Sequence, residues 1–364
     1  MFKNIYQGRN VLVTGHTGFK GAWLCSWLLD LGATVAGFSV DVPTDPSLFE
    51  ALGLADRIQH FEGDVRDKDS LRQAMDRVCP EIVFHLAAQP LVRQSYKDPI
   101  LTFETNSLGT LNLLDCLRDQ PSIAAAVLVT SDKCYENIEW LWGYRENDRL
   151  GGKDPYSASK ACAEIISSAY MQSFFRDGGP NIATARAGNV IGGGDWAADR
   201  IVPDCVRAWS EGKPIVIRSP NATRPWQHVM EPLSGYLSLG QKLFLSDPRV
   251  KNQSFNFGPQ ARVNQSVVEL ITKIAKHWPE AKWESQQETD PQKPESTLLK
   301  LNCDKTLQIL QWSAVLDFEE TVDMTGEWYQ IFYNEDTVSI PEATSSQIRE
   351  YTKKAIRSNL SWAR

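Results

Sequence analysis

Tyr156 and Lys160 stand four residues apart in the run Tyr156-Ser157-Ala158-Ser159-Lys160. On a helix that spacing puts both on one face, within reach of each other and of a common ligand. A free phenol titrates near pH 10 and is a poor base at neutrality. An ammonium beside it favours phenolate and lowers its pKa. The pair could then take the proton of a hydroxyl while hydride leaves the same carbon. Upstream, the apolar run AAAVLVT (124–130) reads as a buried strand, and it ends in a hydroxyl, a carboxyl and an amine: Ser131-Asp132-Lys133.

Such groups work only if a scaffold brings them to one edge. Val11-Leu12-Val13 is a short, β-branched run that reads as a buried strand. Gly15, Gly18 and Gly21 follow at a spacing of three, and then a helical pattern with Trp23, Leu24, Trp27, Leu28 and Leu31 on one face, closed by Gly32 as C-cap. Strand, glycine turn and helix are the context of a dinucleotide site, and Gly15-His16-Thr17-Gly18-Phe19 with Gly21 are its candidate residues. The glycines let backbone approach a pyrophosphate, and the helix N-terminus offers free N–H groups. After the second strand, 34–38, Asp41 is the candidate for the adenosine ribose. No arginine stands there to take a 2′-phosphate, so NAD is favoured over NADP. Asp64 with Val65 is placed for an adenine edge, and Ala87-Ala88-Gln89 for backbone lying against the cofactor.

Strand and helix patterns alternate through about residue 190, with a long helix over 100–118 and another from Tyr156 to about Phe174. That predicts an α/β fold, a Rossmann-like doubly wound parallel sheet with ligands at the strands' carboxyl ends. The pattern changes at the glycine-rich 189–196 and the mixed stretch 218–230. We therefore expect a dinucleotide-binding domain over 1–188 and a smaller, partly interleaved C-terminal substrate-binding lid over 189–335. Residues 336–364 read as a polar, loosely attached tail.

Composition narrows the classes. Lys+Arg 38 against Asp+Glu 45 gives a net charge of −7 with no long basic run, which argues against nucleic acid. No stretch approaches 18 apolar residues, so no membrane insertion is expected. The N-terminus lacks a signal-peptide pattern. Seven cysteines without regular spacing read as reduced thiols, and no CxxC or HExxH supports a metal.

Five segments together carry a resemblance: TGHTGFKG (14–21), DKCYEN (132–137), PYSASK (155–160), GNVIGGGDW (188–196) and RPWQHV (224–229). They resemble the CDP-glucose 4,6-dehydratases, a branch of the extended short-chain dehydrogenase/reductase family, from Val11 to about Tyr333. The glycine spacing and YxxxK belong to the whole superfamily; DKCYEN and RPWQHV are narrower. The resemblance implies tightly bound NAD and conversion of CDP-glucose to CDP-4-keto-6-deoxyglucose. It also implies a cytoplasmic homodimer or homotetramer that serves deoxysugar and lipopolysaccharide synthesis. By that likeness Ser131 bonds the sugar C4 hydroxyl, Tyr156 takes its proton, and Lys160 holds the ribose and tunes Tyr156. Lys133 would be the base at C5 and Asp132 the acid at the C6 hydroxyl. Asn106, Asn189, Arg200, Arg218, Arg224 and His228 are the candidates for the nucleotide-sugar grip. Arg224 and Arg218 would meet the diphosphate, since a forked planar donor suits phosphate oxygens. A 4-epimerase on the same fold needs Tyr and Lys but no acid/base pair after the strand.

Overall fold

Seven strands line up in parallel in the order β7-β6-β5-β4-β1-β2-β3. They are β1 (Asn10–Thr14), β2 (Thr34–Ser39), β3 (Gln59–Glu62), β4 (Ile82–His85), β5 (Ala125–Val129), β6 (Asn181–Ala187) and β7 (Gln253–Phe257). This computed structural model describes residues 1–217, 219–260, 262–285, 298–334 and 338–364. Strand order reverses between β1 and β4, where Val11 pairs with Ile82, so a ligand crevice opens beyond their carboxyl ends. The central strands β1, β4 and β5 are near-continuously apolar because both faces of the sheet are covered there. Val11, Val13, Phe84 and Val127 enter one core; Leu12, Val83, Ala126 and Leu128 enter the other.

Helices α1 (Phe19–Asp30), α2 (Lys68–Val78), α3 (Gly109–Arg118) and α4 (Pro155–Ser173) follow in chain order, then α5 (Met230–Phe244), α6 (Phe318–Tyr333) and α7 (Ile340–Arg357). Trp23, Leu24, Trp27 and Leu28 of α1 are fully buried, as their spacing predicts. Gly32 takes φ +78° just past the helix, the left-handed cap expected there. After Ala187 the chain builds short two-stranded pieces over the sheet edge: 190–191 with 227–228, 223–224 with 265–266, and 215–217 with 283–285. It then returns, because α5 packs on β5 and β6 and β7 extends the sheet. Among the described residues no helix is long and apolar enough to cross a membrane.

Two expectations need correction. The helix over 100–118 is not continuous: Pro99–Phe103 and α3 are joined by a π-turn, Glu104–Leu108. That turn holds the Asn106 amide in a buried set of hydrogen bonds. The described stretch from 338 is not a loose tail either. Its α7 buries Thr344, Ile348, Tyr351 and Ala355, and Trp362 stacks on Phe2 at 5.2 Å. The apolar stripe escapes sequence reading because small and hydroxylated residues occupy half of it.

The docking of α7 has a measurable signature. Tyr351 donates to Glu231 Oε2 at 2.7 Å, while Oε1 accepts the backbone N–H groups of Val315 and Leu316. Burial nevertheless pushes the Glu231 carboxyl up to about 7 from 4.5; the hydrogen bonds from Leu316, Tyr351 and Val315 oppose that. The folded state therefore binds a proton that the unfolded chain releases, and this stabilising contribution is full below pH 4.5 and lost as pH rises through about 7. Glu231→Gln keeps the shape and the acceptor but cannot titrate. The parent-minus-variant unfolding free energy, from urea melts, should fall by roughly 3 kcal/mol between pH 4.5 and pH 7. A difference that is flat across that range would contradict the assignment.

Candidate active site

The glycine turn between β1 and α1 is built by close approach. A Cβ on Gly15 would lie 2.6 Å from the Ala87 nitrogen, and Gly15 has φ +73°; a Cβ on Gly21 would lie 2.1 Å from the Gly15 oxygen. Gly18 differs: nothing but the Gly15 oxygen, at 3.4 Å, meets its Cβ position. It caps α1 without a side-chain acceptor, so the first-turn N–H groups stay available. Open space over unsatisfied donors fits a dinucleotide pyrophosphate. Thr17 Oγ1 donates to the Asp41 carbonyl at 2.6 Å, which brings the exposed Asp41 beside the turn. Gly18→Val should fold like the parent yet copurify without nicotinamide dinucleotide, because its side chain would occupy the cradle. Parental cofactor content in the purified variant would count against the turn.

At the crevice a cavity of about 860 Å³ collects Ser131, Asp132, Lys133, Tyr156 and Asn189. Ser131 caps a short 3₁₀ turn. Its hydroxyl accepts the Lys133 N–H at 3.2 Å and donates to Asp132 Oδ1 at 3.0 Å. Asn189, in a left-handed conformation at φ +53°, donates to Asp132 Oδ2 at 3.2 Å. The Asp132 carboxyl lies against Gly188, where any side chain would collide with it at 2.1 Å. Helix α4 starts with Asp154 as N-cap and Pro155 at its first position, which sets Tyr156 at the cavity wall and Lys160 one turn further along the helix. Both are buried.

The electrostatics differ from the expected picture. Burial pushes the Tyr156 phenol up to about 12, where a lowered value was expected. The hydrogen bond from Ser131 is the strongest opposing influence. Lys160 is driven down to about 8 by burial, against the pull of Cys134 and Glu164. The protein alone thus keeps the phenol neutral; desolvation outweighs any help from the lysine.

Beneath these groups lies a network that sequence reasoning missed. Glu164 follows Lys160 by one helical turn and is ion-paired with the equally buried Arg186 of β6 at 2.7 Å. Thr130, the residue before Ser131, also donates to Glu164. Burial would raise the Glu164 carboxyl, but Arg186 together with the hydroxyl donors holds it below its ordinary range. One carboxylate thereby ties the end of β5 to the catalytic helix. A lone Glu inside a helix carries no sequence signal for this.

The remaining candidates divide. Arg200 and Arg224 line the cavity; Arg200 is braced by Asp195 at 2.8 Å. Phe19 lines it too, and Ala88 lies half-buried at the end of the β4 loop. Asp64 is at the expected strand end, where Arg66 holds both its oxygens. Asn106 is corrected: its amide bonds Gln89 and Ser159, so it is a clamp between the β4 loop and α4, not a sugar contact. The Gln89 side chain is likewise spent on Leu91 and Thr102. The His16 ring turns inward, bonded to Ser39 at 2.9 Å and His60 at 2.7 Å, which leaves only its backbone to the turn. The Val65 side chain packs in the core against Gly109. His228 is corrected as well: it is fully buried against Trp23, and desolvation drives its ring down to about 3. Arg218 lies outside the described residues.

Comparison with known proteins bears on the family and the fold. The sequence profile of the GDP-mannose 4,6 dehydratase family matches residues 12–325. The chain is 44% identical over 361 residues to the CDP-glucose 4,6-dehydratase of Salmonella typhimurium, covering 98% of this chain and 99% of that protein. Among solved structures, an epimerase from Methanothermobacter thermautotrophicus superposes with a TM-score of 0.78 at 21% identity, covering 92% and 96% of the two chains. The UDP-glucose 4-epimerase of Thermus thermophilus, a complex with NAD, gives 0.75 at 25%, covering 88% and 98%.

Proposed function

The chain belongs to the GDP-mannose 4,6 dehydratase family, and from that premise we propose that it dehydrates CDP-glucose to CDP-4-keto-6-deoxyglucose with bound NAD. The observation that carries this reading is the meeting of Tyr156 with Asp132 and Lys133 in one cavity. The near full-length identity to a CDP-glucose enzyme supports the choice of nucleotide.

The turn at Gly15, Gly18 and Gly21 would hold NAD, with Asp41 at the ribose and Lys160 near the nicotinamide side. When bound, NAD supplies the hydride acceptor and donor for the two ends of a redox-neutral sequence. Ser131 orients the C4 hydroxyl and Tyr156 removes its proton. The resulting ketone acidifies the C5 proton, and Lys133, as a neutral amine, takes it. Asp132 gives a proton to the C6 hydroxyl as the C6–O bond breaks and water leaves. C5 is then reprotonated by the Lys133 ammonium, whose protons exchange with solvent, as C6 becomes a methyl group. Arg224 and Arg200 suit the diphosphate. A 4-epimerase has no use for the Asp132-Lys133 pair.

We further take the enzyme to be a cytoplasmic homodimer or homotetramer in deoxysugar synthesis. Ile100, Leu108 and Ile165 support self-association, since they expose apolar surface on Pro99–Leu108 and α4. The direct test of substrate is incubation with CDP-, dTDP-, GDP- and UDP-glucose, followed by mass. Loss of water from CDP-glucose in preference to the others is expected; loss from none of them would end the dehydratase reading.

A further inference from the structure

No step above uses Lys20. It immediately precedes Gly21 in the first turn of α1, and its side chain lines the same cavity as Asp132 and Tyr156. Its ammonium lies 5.9 Å from the centroid of the Tyr236 ring and makes no hydrogen bond or ion pair with the described residues. Tyr236 is itself fully buried, with a hydroxyl that has no partner among them.

The groups facing Lys20 are Asp132 and Asp195, which attract it, and Arg200 and Lys160, which repel it. Burial exceeds each of these and brings the amine down to about 8. Asp132, for its part, accepts hydrogen bonds at both oxygens, from Ser131 and Asn189. A carboxylate in that state is an acceptor with no proton to give. The elimination nonetheless consumes one proton on the departing hydroxyl in every turnover.

We propose that Lys20 is the proton reservoir of Asp132 in the elimination step, an inference that rests on the dehydratase reading. The Lys20 ammonium passes a proton to Asp132 through water in the cavity that both side chains line. Asp132 delivers it to the C6 hydroxyl, the C6–O bond breaks, and water departs with the electron pair. The C5–H electrons become the C5–C6 double bond, with the C5 proton on Lys133. Lys20 regains its proton from solvent through the cavity mouth. It acts through Asp132 and is in that sense a positioning residue, not a catalytic one.

The test compares the NAD-loaded parent with Lys20→Met and Lys20→Arg in deuterated water over a range of pH. Arginine keeps the charge but cannot release a proton. Both variants should bind cofactor as the parent does and return CDP-glucose labelled with deuterium at C5. Both should form dehydrated product about 10²-fold more slowly, the low end of what a lost proton transfer costs. Water loss by the parent should decline as pH rises through about 8, and that limb should vanish in both variants. Lys160 titrates in the same range but is present in all three proteins, so the missing limb belongs to Lys20. Parental product rates in Lys20→Arg would overturn the proposal in favour of a charge alone. So would an equal loss of C5 labelling and product, or of bound cofactor, since either places Lys20 before the elimination. A parent that never dehydrates CDP-glucose refutes the substrate reading itself, and the reservoir with it.

Discussion

Tyr156→Phe should turn over CDP-glucose about 10²–10⁴-fold more slowly than the parent at saturating substrate. Phenylalanine keeps the ring and its packing at the start of α4, where Asp154 and Pro155 fix the first turn. It removes only the oxygen that takes the C4 proton. Burial already holds that phenol up at about 12, against the opposing influence of the Ser131 hydrogen bond and, more weakly, the Arg200 charge. The variant should therefore fail at the first oxidation, before any chemistry at C5. Recovered CDP-glucose should carry no deuterium at C5 after incubation in deuterated water. A turnover rate within a few-fold of the parent would remove Tyr156 from the role of base.

Lys133→Met should lose a comparable factor, but at a different place. The 3₁₀ turn fixes the Lys133 backbone through its N–H bond to Ser131, and its side chain lines the cavity. Methionine preserves most of the length and apolar stem while deleting the amine. C4 oxidation should persist, whereas C5 exchange with solvent and water loss should both fall by at least about 10²-fold. The two variants thus separate the first proton transfer from the second. If Lys133→Met exchanged C5 as fast as the parent, the base would have to be sought elsewhere in the cavity, with Glu136 as the nearest alternative in sequence.

The chemistry and its frame were legible wherever the signal was local. The glycine spacing, the apolar strands and the four-residue interval from Tyr156 to Lys160 each depend on neighbours in sequence, and each falls on the turn, strand or helix expected for it. What could not be read depends on packing between distant segments. Asn106 and His228 are polar residues whose types suit a ligand, yet one is consumed by Gln89 and Ser159 and the other sits fully buried against Trp23. Glu164 is an ordinary helical glutamate until Arg186, 22 residues on, meets it inside the protein. The Tyr156 pKa was misjudged for the same reason: the sequence shows the nearby lysine but not the desolvation that raises the phenol. The α7 helix was hidden by threonines in its buried stripe, which lower its apparent polarity contrast without preventing burial.

The central claim is that one site oxidises C4, eliminates water across C5 and C6, and closes the sequence internally. CDP-glucose carrying deuterium at C4 tests it directly when converted in ordinary water and analysed by mass and proton NMR. The account predicts that the label leaves C4 and reappears in the C6 methyl group of the same product molecule, while the C5 hydrogen comes from solvent. A dehydrated product without deuterium at C6, or CDP-glucose that keeps its label at C4 and never loses water, would contradict it.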